Sequence, residues 1–285
     1  MGKLKFEISD DKFIRKPSAS HELSILIGMD SFAYMVSDTN EQVLTVKDYS
    51  YNTKVNHSSD LESQIQQVIN QDTFLKTSHP NIRVGFLDAK SALVPIRLYN
   101  ETEQKTYLKQ LTDLDSQHSV LVDTLEQFSL KNVYAVYKSL YEFSIKQFPG
   151  AKTFHITTSL LHRFSYMASK KEGHNLFIHV RSGEVFTYLF EGSELKFANS
   201  FPYQSTRDFI YFILMIFDQF DLEPEKIPVF LSGQLLQDSE VYRLLFRYIK
   251  KLEFVNPPAY FQYGQKWGSY PKYFYFDLFS LVFCK

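Results

Sequence analysis

The sequence predicts an α/β protein of two lobes, each built on the same β-β-β-α-β-α-β plan with a mixed sheet. Three observations carry this. Leu23 to Tyr51 reads as three short strands, LSILIGMDSFAYMVSDTNEQVLTVKDYSY, and Asn175 to Tyr203 reads the same way, NLFIHVRSGEVFTYLFEGSELKFANSFPY. Each stretch leads through a polar step into an amphipathic helix and then a short buried strand. Strands that alternate with helices, opened by antiparallel meanders, are the pattern of α/β folds with mixed sheets.

The elements follow in order. Residues 1–21 are polar and read as an arm. Leu23–Gly28, Phe32–Ser37 and Gln42–Tyr49 are strand-like, and Asp38-Thr39-Asn40-Glu41 supplies turn chemistry between the last two. Ser59 with Glu62 forms a capping-box pattern. Leu61, Ile65, Val68 and Ile69 then share one helical face. Ile82–Leu87 and Ala92–Leu98 read as a strand pair, and Glu101–Leu111 as a helix. Val120–Phe128 and Asn132–Ala135 carry strand patterns, and Tyr137–Phe148 is a helix stopped by Pro149-Gly150. Thr153–Ile156 is a short strand and Leu160–Ala168 a helix. The polar break Ser169–Gly173 sets the lobes at residues 1–172 and 173–285.

The second half restarts with strands over Leu176–Val180, Val185–Phe190 and Glu194–Ala198, with a hairpin turn at Glu191-Gly192-Ser193. Ser205–Phe220 and Ser239–Ile249 are helices. Ile227–Leu231 and Leu252–Val255 are strands, and Phe274–Phe283 fits either state.

Composition bounds the function. The 285 residues carry a net charge of −1, so no global field attracts nucleic acid or an anionic membrane. The single cysteine, Cys284, excludes an internal disulfide and a cysteine-rich metal site. MGKLKFEISDDKFIRKP has no apolar core, so no signal peptide is expected. The longest apolar run, Phe209–Phe217, is far below the ~20 residues that span a bilayer. The expected location is cytoplasmic.

Three short segments stand where a two-lobed protein of this plan would meet phosphates: Gly28-Met29-Asp30-Ser31-Phe32, Val180-Arg181-Ser182-Gly183-Glu184 and Phe230-Leu231-Ser232-Gly233-Gln234. Tight turns of this kind use glycine so that backbone N–H groups approach the ligand. On these segments the chain resembles the actin-like ATPase superfamily, whose folds are ribonuclease H-like. That family's first turn is Asp-x-Gly-Thr/Ser. Asp30 matches the acid, with Ser31 and Phe32 where the glycine and hydroxyl stand. Its second turn is Asp-x-Gly-Gly-Gly. Here Arg181 takes the acid position and Gly183 is the one glycine left. Its adenosine motif is an apolar run before Gly-Gly, and Ser232-Gly233 keeps that shape.

In overall look the chain resembles the DUF3822 family of bacterial proteins, whose fold is actin-like and which lends no activity to carry over. The resemblance implies Asp30, Ser31, Arg181, Gly183, Ser232 and Gly233 as cofactor-binding positions. Arg181 in place of a metal-side acid puts a cation near Mg²⁺, repelled by about 4 kcal/mol at an effective dielectric of about 20. The sites therefore read as eroded for hydrolysis. Arg181 could hold an anion without metal, although by itself it reads as a surface arginine on a turn.

No other motif competes. The histidine pairs His155/His162 and His174/His179 miss H-x-x-x-H spacing. Asp123 and Glu126 fall on opposite faces of a strand, which argues against a paired acid–base site. The tail, residues 259–279, is dense in aromatics. Gly264, Gly268, Pro258 and Pro271 mark it as a loop, and Tyr263, Trp267 and Tyr270 as a partner-binding surface. The expectation is a pseudoenzyme without catalytic or metal residues, acting as an interaction or scaffold protein with a protein partner. Its alternatives are a nucleotide-binding switch, with ATP or another nucleotide as ligand, and an RNA-associated factor using the tail. The charge balance disfavours nucleic acid.

Overall fold

The computed structural model describes residues 2–9, 20–51, 58–87, 90–181, 183–256, 260–268 and 270–284. Its strands are β1 (Lys3–Ser9), β2 (Glu22–Ile27), β3 (Ser31–Ser37), β4 (Gln42–Ser50), β5 (Ile82–Phe86), β6 (Ser91–Pro95), β7 (His118–Leu125), β8 (Leu130–Tyr137), β9 (Lys152–His155), β10 (His174–Arg181), β11 (Glu184–Glu191), β12 (Glu194–Pro202), β13 (Val229–Gly233), β14 (Leu252–Phe254) and β15 (Gln262–Tyr263). Its helices are α1 (Ser58–Gln71), α2 (Thr73–Lys76), α3 (Gln104–Leu108), α4 (Lys138–Gln147), α5 (Ile156–Ala168), α6 (Thr206–Gln219), α7 (Glu240–Tyr248) and α8 (Phe276–Ser280).

The repeat is a repeat of topology. One sheet runs β1-β4-β3-β2-β5-β9 and another β12-β11-β10-β13-β14. In each, an antiparallel meander is continued by two parallel strands, β5 beside β2 and then β9 beside β5, and β13 beside β10 and then β14 beside β13. Parallel neighbours need a crossover, and α1 and α6 supply it. Leu61, Ile65, Val68 and Ile69 pack α1 into a core with Ile25, Phe32 and Val84. Phe209, Ile213, Ile216 and Phe217 do the same for α6 with Leu176, Ile178 and Leu231. Ser205 caps α6 by accepting the Asp208 N–H, while the Asp208 carboxylate accepts the Ser205 N–H.

By compactness the chain forms two units. Unit 1 comprises Met1–Ser159, Tyr260–Tyr270 and Leu278–Lys285, and unit 2 comprises Leu160–Ala259 and Pro271–Asp277. This partition differs from the sequence halves at 172/173: the turn of topology falls at β10, while the tail is divided between both units.

Three readings are corrected. Lys3–Ser9 is a strand, not an arm, and pairs antiparallel with β4. Its alternation of Leu4, Phe6 and Ile8 carries the signal. Ile82–Leu87 and Ala92–Leu98 are no pair: β5 lies between β2 and β9, whereas β6 joins β8 and β7 in a separate three-stranded sheet within unit 1. The segment 101–111 is a 3-10 turn followed by the short α3. The ambiguous tail is helical across Lys272–Phe283. The side chain of Ser59, and so the first capping box, lies outside what is described. Among the described residues no helix is long and apolar enough to cross a membrane.

Candidate functional site

The first turn is built by backbone. The Gly28 N–H donates to the Ser31 carbonyl at 2.9 Å, closing β2 onto β3. Asp30 is exposed at its tip, and its carbonyl accepts the Tyr51 N–H at 2.9 Å. Ser31 is buried at the start of β3. Phe32 does not crowd the turn. It faces the unit 1 core, with Tyr34 and Tyr49 rings 6.4 and 6.3 Å away.

The second turn overturns the reading of Arg181 as a surface residue. Arg181 ends β10 at 1% exposure. Its guanidinium lies 3.4 Å from Asp277 Oδ2, itself at 0% exposure. A buried guanidinium requires a countercharge, because removing a charge from water costs several kcal/mol. Asp277 comes from the tail segment that belongs to unit 2, so the countercharge is distant in sequence. Gly183, at φ +75°, forms the turn between β10 and β11, and its carbonyl accepts the Tyr203 N–H at 3.0 Å. Ser182 lies outside the described residues.

The third segment joins this cluster. The Ser232 hydroxyl donates to the Ile178 carbonyl at 3.2 Å and lies 3.0 Å from His179 Nδ1. His179 Nε2 is 3.4 Å from Asp277 Oδ2. Serine, histidine and aspartate thus stand in line, the residue types of a hydrolytic triad. All three are fully buried, and the serine hydroxyl is engaged by the carbonyl of Ile178. A nucleophile needs an approach path for its substrate, so the line reads as a buried polar network within unit 2. Gly233 has φ +85°, and a Cβ on it would lie 2.1 Å from the Val180 carbonyl oxygen. That glycine is required by the strand beside it.

The structure therefore brings Arg181 and Ser232 into one buried cluster through His179 and Asp277, all inside unit 2. Asp30 and Ser31 belong to unit 1. Among the described residues no group of three His, Cys, Asp or Glu side chains could hold a metal.

The tail surface is also corrected in part. Trp267 is 3% exposed and packs against Phe6, Tyr263 and Phe279 with centroids at 6.2, 5.6 and 5.8 Å. Tyr263 is half-buried, and its short strand β15 pairs in parallel with β4. Tyr270, at 47%, is the exposed one of the three. A tail rich in aromatics contributes core to both units: Tyr275 and Phe276 are buried in unit 2, Leu278, Phe279 and Leu281 in unit 1.

Sequence reasoning set Asp123 aside as a partner of Glu126 and did not foresee its burial. It is buried and accepts from Tyr134 Oη at 3.1 Å, the His155 N–H at 2.8 Å and Thr158 Oγ1 at 2.6 Å. Burial pushes its carboxyl up to about 6, against the opposing pull of those three donors. Its even partners along β7 could have flagged it: Leu121 packs against the core and Leu125 is fully buried. Burial likewise pushes the Cys284 thiol up to about 12, so it stays an inert core group.

The family described as "Protein of unknown function (DUF3822)" matches residues 10–252. The chain belongs to the DUF3822 family. A comparison with curated proteins finds no match. Among solved structures, this DUF3822 protein is similar to a Bacteroides thetaiotaomicron protein described as having an actin-like ATPase fold and unknown function. The TM-score is 0.79 at 21% identity, over 96% of this chain and 99% of that one. It is similar to the PilM–PilN type IV pilus biogenesis complex at a TM-score of 0.58 and 11% identity, over 94% and 97%. It is also similar to the ethanolamine utilization protein EutJ from Carboxydothermus hydrogenoformans at 0.51 and 7%, over 95% and 92%. At these identities the likeness is one of fold. The fold is that of the actin-like ATPases, α/β with two mixed sheets forming two lobes.

Proposed function

We propose that this DUF3822 protein is a cytoplasmic interaction or scaffold protein that keeps the actin-like fold without its phosphate chemistry. The observation that carries this is Arg181, buried and ion-paired with Asp277 at the position that matches the superfamily's second acid. A cation committed to a protein carboxylate is poorly placed to help hold Mg²⁺ and phosphate. Gly233 supports the same reading, because it is taken up by the close approach of Val180 rather than left for a ligand. PilM, a protein of the same fold, stands in a complex with PilN, which makes a protein partner the natural use of such a scaffold. Within the tail the partner-facing role falls to Tyr270, which is exposed, packs its ring 5.2 Å from Phe6 and donates its N–H to the carbonyl of the buried Trp267 at 3.1 Å.

A second reading, a nucleotide-binding switch, draws on Asp30, exposed at the tip of a tight turn where the superfamily's first acid stands. Calorimetry with ATP and ADP, with and without magnesium, separates the two, alongside a phosphate-release assay. The proposal expects no hydrolysis above background. Turnover that disappears in Asp30→Ala overturns it in favour of the second reading.

A further inference from the structure

Unit 1 holds a pocket of about 250 Å³ that none of the readings above uses. β2 and β5 run parallel, and the pocket lies at their carboxyl ends, against Ile27, Gly28 and Phe86. Ligands of open α/β sheets commonly bind outside the carboxyl ends of the strands. The last residues of β8 and Leu140 of α4 close the other side. Ile27, Met29, Phe86, Val136 and Leu140 make most of the wall apolar.

Two polar groups on this wall are unspent. Among the described residues, neither the Thr112 hydroxyl nor His118 Nε2 has a hydrogen-bond partner. The imidazole is held in place, because Nδ1 lies 2.8 Å from Asp115 Oδ1 and the ring lies over Tyr137 with centroids 4.7 Å apart. A bond at one ring nitrogen fixes the ring and leaves the other nitrogen for a ligand. Asp115 does not line the pocket, so the nitrogen turned toward it is Nε2.

We propose that this pocket binds a small uncharged ligand with an apolar ring and one hydroxyl, of about the size of phenol. The ring lies against Ile27, Phe86 and Leu140, and the hydroxyl meets His118 Nε2 and Thr112. Charge is selected against, because an ion against an apolar wall is costly unless a countercharge meets it there. Lys90 lines the pocket but already has a partner, and any charge on His118 is answered by Asp115 from outside. A hydroxyl is selected for, because it both donates and accepts. It therefore matches Thr112, and it matches His118 Nε2 as a lone pair or as an N–H. Size supports one ring: an apolar cavity of about 150 Å³ holds a benzene, and sites for drug-sized molecules begin at about 300 Å³.

The test titrates the full chain with phenol, toluene and benzoate, read by ligand-observed NMR and by the His118 imidazole proton resonances. The expected result is saturable binding of phenol with Kd near or below about 1 mM, with a shift of the His118 resonances. Toluene should bind no more tightly than phenol, although water holds phenol more strongly, and benzoate should bind at least about tenfold more weakly. His118→Phe keeps a flat ring beside Tyr137 and removes Nε2. It should weaken phenol about fivefold, the scale of one hydrogen bond, and leave toluene nearly unchanged. Met29→Trp, a change at a half-buried turn, should fill the pocket and abolish binding while the melting curve stays cooperative. No saturable binding of phenol overturns the proposal, and so does tighter binding of toluene or equal binding of benzoate. Those three results come from the unaltered chain and decide whether or not a variant folds. Phenol affinity unmoved by a folded His118→Phe or Met29→Trp also overturns it.

Discussion

Replacing Asp277 by alanine should expose how much unit 2 depends on a buried ion pair. Asp277 Oδ2 lies 3.4 Å from both the Arg181 guanidinium and His179 Nε2, and all three residues are within 1% of complete burial. At 3.4 Å the attraction of one charge pair is about 5 kcal/mol for an effective dielectric of about 20. Part of that offsets the desolvation of both ions. What Asp277→Ala removes is the countercharge alone, and truncating one member of a buried pair costs about 3–5 kcal/mol. For a chain of this size each kcal/mol shifts the melting temperature by roughly 2–4 °C, so a fall of roughly 10 °C is expected. Calorimetry on Asp277→Ala, Arg181→Met, Asp277→Leu and the Arg181→Met/Asp277→Leu double variant completes the argument. The double variant should be more stable than either Asp277 variant, because apolar residues of similar volume often replace a buried pair at little cost. An Asp277→Ala protein within about 1 kcal/mol of wild type refutes the reasoning, and so does a strictly additive cycle.

Three further outcomes are expected. Gly233→Ala should destabilise by more than the ~1–2 kcal/mol of left-handed strain, because its Cβ would meet the Val180 backbone at 2.1 Å; an unchanged melting temperature contradicts this. Asp123 binds its proton more tightly folded, at about 6, than unfolded, at about 4. The folded state therefore holds more protons in that window, and this group's contribution to stability falls as pH rises from about 4 to about 6. Asp123→Asn keeps an acceptor for the His155 N–H and Thr158 and should flatten that slope, which melting curves across the window will read. Trp267, the sole tryptophan, should emit blue-shifted, quencher-protected fluorescence in the free monomer; red-shifted emission would contradict its burial.

What was legible follows the range over which each signal acts. The meanders β2-β3-β4 and β10-β11-β12 and the helices α1 and α6 could be read because alternation, turn residues and helical periodicity are local. The pairing of β5 could not. Its neighbours β2 and β9 are far along the chain, and adjacency in sequence pointed to β6 instead. The positions expected to meet a cofactor could be read as turns and strand ends but not as environments. Arg181 looks like a turn residue until Asp277 arrives from the tail, and Gly233 looks like a ligand glycine until Val180 is seen against it. The loop reading of the tail failed at Trp267 because glycine and proline break regular structure without implying exposure.

The division of the tail has a consequence for how the protein is made. A ribosome releases residues in order at about 5–20 per second, and domains usually fold as they emerge. Unit 1 is mostly synthesised by Ser159, yet its core waits for Phe261, Trp267, Phe279 and Leu281, and unit 2 waits for Asp277. Neither unit can be completed before the other's strands have been made. A fragment ending at Ser159 would leave apolar positions of unit 1 unfilled, and one spanning residues 160–259 would bury Arg181 without its carboxylate. Vectorial folding here closes both units late, with the same short segment.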